Sequence, residues 1–195
     1  MPPPAWFASY LHDNSVLLSY GSLGDFTEAN PIRFGLINLQ VVAYAIAGNR
    51  MVANVSALLL SAVLGIVWLF SLQREKAVTT SREQLELATL VVLSILPIYH
   101  RFYDASLLVF PLAVASLAWP DFSKALRRAI VCAILIFLIP GGSLLERFRG
   151  TDHADSIQHS WWWTCFVMPH QVWALLVLSV LLLYAMRKSR LEAGD

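Results

Sequence analysis

The string Tyr99-His100-Arg101-Phe102-Tyr103-Asp104 packs a histidine, an arginine, an aspartate and two tyrosines between two long apolar runs. Ionisable groups at the seam of two membrane helices are costly to hold, so such a cluster reads first as a functional site. Arg101 carries a planar fork that grips a phosphate or diphosphate through two parallel hydrogen bonds. His100 offers a ring nitrogen to carry or accept a proton. Asp104 can orient that ring, accept from a sugar hydroxyl or help to ligate a divalent ion. Tyr99 and Tyr103 suit sugar hydroxyls or lipid headgroups. A plainer account uses the same residues. Asp104 caps the next helix, Arg101 snorkels to headgroups, and the tyrosines sit in an interfacial aromatic belt. The local chemistry alone does not choose between the two.

Other candidate groups lie further along. Asp152, His153, Asp155 and His159 bring oxygen and imidazole donors to one loop, a set that could hold a divalent cation. No closed metal motif is present, and charges so placed more often form a solvated face. Trp161-Trp162-Trp163 is first an interface anchor, although aromatic faces also stack on sugars. His170, Gln171 and Trp173 follow Pro169 just inside an apolar run. Polar groups there face protein or a cavity rather than lipid, either as helix-to-helix hydrogen bonds or as part of a site. Arg33, Asn38 and Gln40 form a polar face that needs no function but suits the wall of a lipid-substrate groove. The two cysteines, Cys132 and Cys165, have neither metal-ligand spacing nor the pattern of a disulfide framework.

The elements that must carry these residues are membrane helices. Of 195 residues, 57% are hydrophobic and 14% charged, with a mean hydropathy of +0.61. A soluble domain is nearer ~25% charged. The composition therefore predicts an integral membrane protein of the all-α class, a polytopic transmembrane helix bundle. A net charge of +1 without a basic stripe leaves nothing to neutralise a nucleic-acid backbone. Five apolar runs, 51–72, 85–99, 105–119, 125–140 and 164–186, are expected to span. The three middle runs are a little short of the ~20 residues a span needs. Asn30-Pro31 reads as an N-cap followed by proline at the first helical position. It predicts a helix over 31–47 that stops at Gly48, interfacial or re-entrant, with a full span left open by its length. Thr80-x-x-Glu83 and Ser81-x-x-Gln84 fit capping boxes, and Pro120-Asp121 stops one helix and caps the next. Residues 1–30 hold no Lys or Arg and are expected to be a loop segment with a short helix near Trp6–Leu11.

Lys and Arg counts give the orientation. Nine lie in 73–84, 120–128 and 187–195 (Arg74, Lys76, Arg82, Lys124, Arg127, Arg128, Arg187, Lys188 and Arg190). Five lie in 1–50, 100–104 and 141–163 (Arg33, Arg50, Arg101, Arg147 and Arg149), a set at least twice as long. The first set is expected to be cytoplasmic. The Tyr99–Asp104 string, the 141–163 loop and the N-terminal segment then face outward. The N-terminus lacks the basic and apolar regions of a signal peptide. An outward segment with no span before it is uncommon, so the chain is expected to be the C-terminal part of a longer polytopic protein.

Leu96-Pro-Ile-Tyr-His-Arg-Phe-Tyr-Asp104, followed by Leu107-Leu-Val-Phe-Pro-Leu112, resembles the late segment of glycosyltransferase family 87 proteins. These are polytopic GT-C enzymes of the polyprenol-phosphate-mannose-dependent mannosyltransferase type. Asn30-Pro-Ile-Arg-Phe-Gly-Leu-Ile-Asn-Leu-Gln40, Gly48-Asn-Arg-Met-Val-Ala-Asn54 and Met168-Pro-His-Gln-Val-Trp173 resemble other parts of that family. The resemblance runs from about residue 30 to the end. It implies inverting transfer of a hexose, mannose foremost, from a polyprenol-phosphate donor on the extracytoplasmic face of a bacterial plasma membrane. It implies that His100, Arg101, Tyr103, Asp104 and His170 bind substrate, with Arg101 the phosphate partner and His100 a polar contact to donor or acceptor. No cofactor is identified, and a divalent cation is the one candidate the residues offer. The departure from the family concerns the general base, which GT-C enzymes take from an acidic residue of their first extracytoplasmic loop. A base must reach the attacking hydroxyl. Asp13, Asp25 and Glu28 are on the expected side but match no catalytic acid of the family. The catalytic residue is therefore unassigned, and the chain is expected to be inactive alone. The alternative is a small non-catalytic integral membrane subunit or binding protein that holds a partner or lipid with its outer loop and tryptophans. A third account makes His100, Arg101 and Asp104 a proton or ion relay.

Overall fold

Asn30 does not start a helix, because its carboxamide is engaged locally. Its Oδ1 accepts from the Ile32 amide at 3.1 Å and its Nδ2 donates to the Asp25 carbonyl at 2.7 Å. The chain makes a 3-10 turn at Arg33–Gly35, is extended at Leu36 and Asn38, and turns helical only at Leu39. The helix expected over 31–47 is thus corrected to Leu39–Ala47 (α2). Asn38 is its N-cap, accepting from the Val41 amide at 3.2 Å. Gly48 ends it as expected, in the left-handed region at φ 63° that glycine adopts without a Cβ penalty. Nine residues rise about 14 Å, so α2 does not cross a bilayer.

The computed structural model describes residues 4–72, 80–97, 100, 106–115, 123–139 and 160–192. Every regular element among them is helical. Before α2 runs Ala5–Leu17 (α1), longer than the short helix expected near Trp6–Leu11 and without a buried residue. After α2 come Arg50–Ser71 (α3), Thr80–Ile95 (α4), Val109–Ala113 (α5), Lys124–Leu138 (α6) and His170–Glu192 (α7). Asn49 opens α3, its side chain accepting from the Met51 and Val52 amides at 2.9 and 3.0 Å. Ser123, rather than Asp121, caps α6 by accepting from the Leu126 amide at 3.2 Å.

Among the described residues two helices, not five, are long and apolar enough to cross a membrane, Arg50–Ser71 and His170–Lys188. Helix α4 has 16 residues and α6 has 15. They rise about 24 and 22 Å, short of a hydrocarbon core of about 30 Å. Helix α5 has 5 residues, and half of the remaining 105–119 run lies outside the described residues. The run over 164–186 is in two pieces, for a clear reason. Pro169 has no N–H to give to the Cys165 carbonyl. The Trp173 indole N–H takes that carbonyl instead, at 2.8 Å. Ahead of the break Trp163–Val167 winds as a π-helix, and α7 starts at His170.

Helix α7 is central, packed against α6, α4 and α3. Its Val172, Leu175, Leu178, Leu182 and Met186 are at most 1% exposed. A helix apolar all round belongs in the middle of a bundle. Ile130 and Phe137 of α6 and Leu85, Val92 and Ile95 of α4 close on it. Helix α3 is far more exposed than α7. It buries only Ala53, Ala57, Leu64 and Ser71 and leaves Met51, Leu58 and Phe70 at 76%, 68% and 74% exposure. Ala53 and Ala57 are small enough to let α2 pack close against it. Phe26 joins Leu36, Val41 and Ala53 in a second apolar cluster, which ties the chain at that point to α2 and α3.

Hydrogen bonds gather the chain into two ends. At one, the Arg82 guanidinium donates to the Ser71 carbonyl at 2.6 Å and to the Met186 carbonyl, and pairs with Glu86 at 2.8 Å. Arg82, counted above as a loop charge, is therefore a buried clamp on α3, α4 and α7. At the other, the Cys165 thiol donates to the Ala45 carbonyl at 3.1 Å and Gln171 donates to the Phe137 carbonyl at 3.1 Å.

Candidate functional site

Two distant stretches meet at the Cys165 end. The Ile37 amide donates to the His100 carbonyl at 3.0 Å, and the Leu39 amide donates to the Leu96 carbonyl at 3.1 Å. Extended backbone has no helical partner of its own, and buried amides must find one. Pro97 supplies the second stretch. Residues before a proline avoid helical geometry, so α4 stops at Ile95 and its continuation is free to pair. The chain entering α2 is thereby held beside the chain leaving α4.

Near this pairing the polar side chains differ in how fully they are satisfied. Gln40 Oε1 is buried without a hydrogen-bond partner. Arg33 is half-buried, lies over the Phe34 ring at 4.8 Å, and makes no ion pair among the described residues. Burial pulls its guanidinium below the ordinary arginine value, with Glu28 acting in the opposite direction. A desolvated cation and an unpartnered acceptor are the groups that a phosphorylated, hydroxyl-bearing ligand would satisfy. Sequence reasoning placed Arg33 and Gln40 on one side of a helix, with Asn38 as a further polar group on it. The structure splits them, with Arg33 in the 3-10 turn, Asn38 at the cap and Gln40 in α2.

Asp25 is the opposite case. It is fully buried. Its Oδ2 accepts from the Gly21 amide at 2.7 Å and the Thr27 hydroxyl at 2.8 Å, and its Oδ1 from the Thr27 amide at 3.0 Å. Burial pushes its pKa up, but these hydrogen bonds and the nearby Arg50 charge outweigh burial and hold the carboxyl below the ordinary aspartate value. A carboxylate so engaged is a structural knot and a poor general base. Its signal was legible in the sequence, since an aspartate with a threonine two residues on favours a local side-chain turn. Asp13 and Glu28 are exposed.

His170, expected among the substrate contacts, joins two helices. Its Nδ1 lies 2.9 Å from the Val167 carbonyl and its Nε2 2.9 Å from the Ile139 carbonyl. Carbonyls only accept, so a neutral ring bonds one of them and an imidazolium bonds both. With Gln171 it satisfies the carboxyl end of α6, where the last carbonyls lack helical partners. Both ring nitrogens thus face backbone carbonyls. Trp161 and Trp162 are exposed, and Trp173 stacks on Phe166 with centroids 5.6 Å apart.

His100 is half-buried at the pairing. Tyr99, Arg101, Tyr103 and Asp104 lie outside the described residues, as do Asp152, His153, Asp155 and His159, on which the divalent-cation expectation rests. Among the described residues no three His, Cys, Asp or Glu side chains form a group able to hold a metal ion. Set against protein-family models, curated proteins and solved structures, the chain gives no significant match to any of them.

Proposed function

We propose that the chain is the C-terminal part of a membrane hexosyltransferase. It would take its sugar, mannose foremost, from a polyprenol-phosphate donor on the extracytoplasmic face of a bacterial plasma membrane. The observation that carries this reading is the backbone pairing of Ile37 and Leu39 with His100 and Leu96. It joins the Asn30–Gln40 stretch to Leu96 and His100, and both of the strings to which these residues belong resemble glycosyltransferase family 87. In this reading Arg101 grips the donor phosphate and Arg33 is a second cation for it. His100, Tyr103, Asp104 and the unpartnered Gln40 Oε1 meet sugar hydroxyls, while His170 contributes at one remove by fixing the end of α6. The general base comes from outside this chain, since Asp25 is engaged by Gly21 and Thr27. Helix α3 supports the membrane setting. Its 22 residues rise about 33 Å, and its outward apolar side chains suit acyl chains rather than water. The C-terminal tail faces the cytoplasm.

The test is photolabelling of membranes that contain the chain with a diazirine-bearing short-chain polyprenyl phosphate. Labelling is expected to be competed by polyprenol-phosphate mannose and not by the free polyprenol. It should fall about 10-fold in Arg101→Ala and in Arg33→Gln, the worth of one charge-assisted hydrogen bond. Labelling unchanged in both Arg101→Ala and His100→Ala would refute the site. A second reading, a non-catalytic membrane subunit, is favoured by the engagement of Asp25 and His170 with backbone. It predicts no competed labelling and co-purification with a partner protein.

A further inference from the structure

Helix α6 opens with an excess of positive charge. Lys124, Arg127 and Arg128 lie in or next to its first turn, which contains no acidic residue. The amino end of a helix is itself electropositive. None of the three has an ion-pair partner among the described residues. Beside them lies an open groove of about 260 Å³ lined by Ala115, Arg127, Arg128, Val131 and Cys132. The groove wall is almost wholly apolar, so Arg127 and Arg128 line it chiefly with their stems, and Val131 and Cys132 form its apolar end one turn, about 6 Å, further along α6.

We propose that this groove seats an anionic phospholipid, with the phosphate between Arg127 and Arg128 and one acyl chain along Ala115, Val131 and Cys132. Charge complementarity selects the headgroup. The apolar end selects a lipid over a free phosphate or an acidic peptide, either of which would leave Val131 and the Cys132 thiol uncovered. The groove lies toward the Ser123 end of α6, whereas Ile139 at the other end meets His170. It is therefore separate from the Ile37–His100 pairing. The inference rests on the membrane setting proposed above but not on the transferase activity.

The thiol that lines the groove is a natural reporter. Cys132 is exposed and Cys165 is buried. The full chain, labelled at Cys132 with bimane, is reconstituted in phosphatidylcholine vesicles containing a few mole per cent of doxyl-labelled phosphatidylglycerol or doxyl-labelled phosphatidylcholine. The anionic lipid is expected to quench at a much lower mole fraction than the neutral one. Arg127→Gln with Arg128→Gln should remove that preference, a loss of about 30-fold in relative affinity for two interfacial cations. Arg127→Lys with Arg128→Lys should keep most of it. A bimane at Leu138→Cys in a Cys132→Ser background, at the far end of α6, should show no preference. Equal quenching by the two lipids at Cys132, or a preference that survives the glutamine pair, overturns the proposal. So does a preference abolished by millimolar inorganic phosphate but not by chloride of equal ionic strength. Absence of quenching by either lipid places α6 outside the bilayer and overturns the membrane setting together with the groove, an outcome distinct from equal quenching.

Discussion

Replacing Arg82 by methionine removes at least three interactions from one buried point. The guanidinium donates to the Ser71 and Met186 carbonyls and pairs with Glu86 at 2.8 Å. The Arg82 side chain is 3% exposed and that of Glu86 18%, so water replaces little of what is lost. Hydrogen bonds to a charged group are worth about 1.5–3 kcal/mol each, and they do not add fully at a shared donor. Removing one partner of a buried ion pair costs about 3–5 kcal/mol, and the partial exposure of Glu86 lowers its share. Methionine keeps most of the apolar stem in place. The expected net loss is about 3–5 kcal/mol, a fall of about 6–20 °C in Tm for a chain of this size. Thermal unfolding of the purified protein in detergent, followed by tryptophan fluorescence, measures it. Adding Glu86→Gln to Arg82→Met removes the negative charge that Arg82 balanced and should recover part of the loss. A single variant within about 1 kcal/mol of the parent would refute the clamp, and so would a double variant no more stable than the single.

Asp25→Asn should alter the acid limb of stability. The folded carboxyl titrates below its unfolded value near 3.8. Its contribution is therefore complete above that value and is lost as pH falls through the lower folded pKa. The stability gap between parent and variant should shrink below about pH 4. A gap that stays constant as the solution is acidified argues against the knot. Trp173→Phe strands the Cys165 carbonyl and should cost about 1–3 kcal/mol in thermal unfolding. Adding Pro169→Ala returns an N–H four residues on and should restore part of that loss. If it makes matters worse, the account of the break before α7 is wrong. For orientation, a membrane-impermeant maleimide should label Ser15→Cys in intact cells and Lys188→Cys only after permeabilisation. The reverse pattern would invert the topology.

Residues 51–72 read correctly to within one position of Arg50–Ser71. An uninterrupted apolar run with polar ends satisfies its own backbone and needs no partner to become a helix. Gly48 was equally legible, because a left-handed stop is a property of the residue itself. Asn30-Pro31 carried the right cap residues in the wrong place. What displaced the helix was the Asp25–Asn30 turn, together with the claim that Leu96 and His100 make on the amides of Leu39 and Ile37. A local pattern cannot report a partner far along the chain. The same holds for Arg82 and His170, whose types mark a loop charge and a site contact until distant carbonyls are brought to them.

The sequence by itself determined a helical, strongly apolar chain with polar groups clustered at the ends of its runs, because composition and cap chemistry act within a turn or two. Only the tertiary structure decided which of those polar groups are engaged and which stay open. Burial makes every unpaired donor and acceptor costly, and the partners that relieve that cost arrive from elsewhere in the fold. Asp25, Arg82 and His170 are occupied in this way. Arg33 is left half-buried without an ion pair and Gln40 Oε1 without a hydrogen-bond partner among the described residues, and the proposed ligand site rests on that contrast rather than on the residue types.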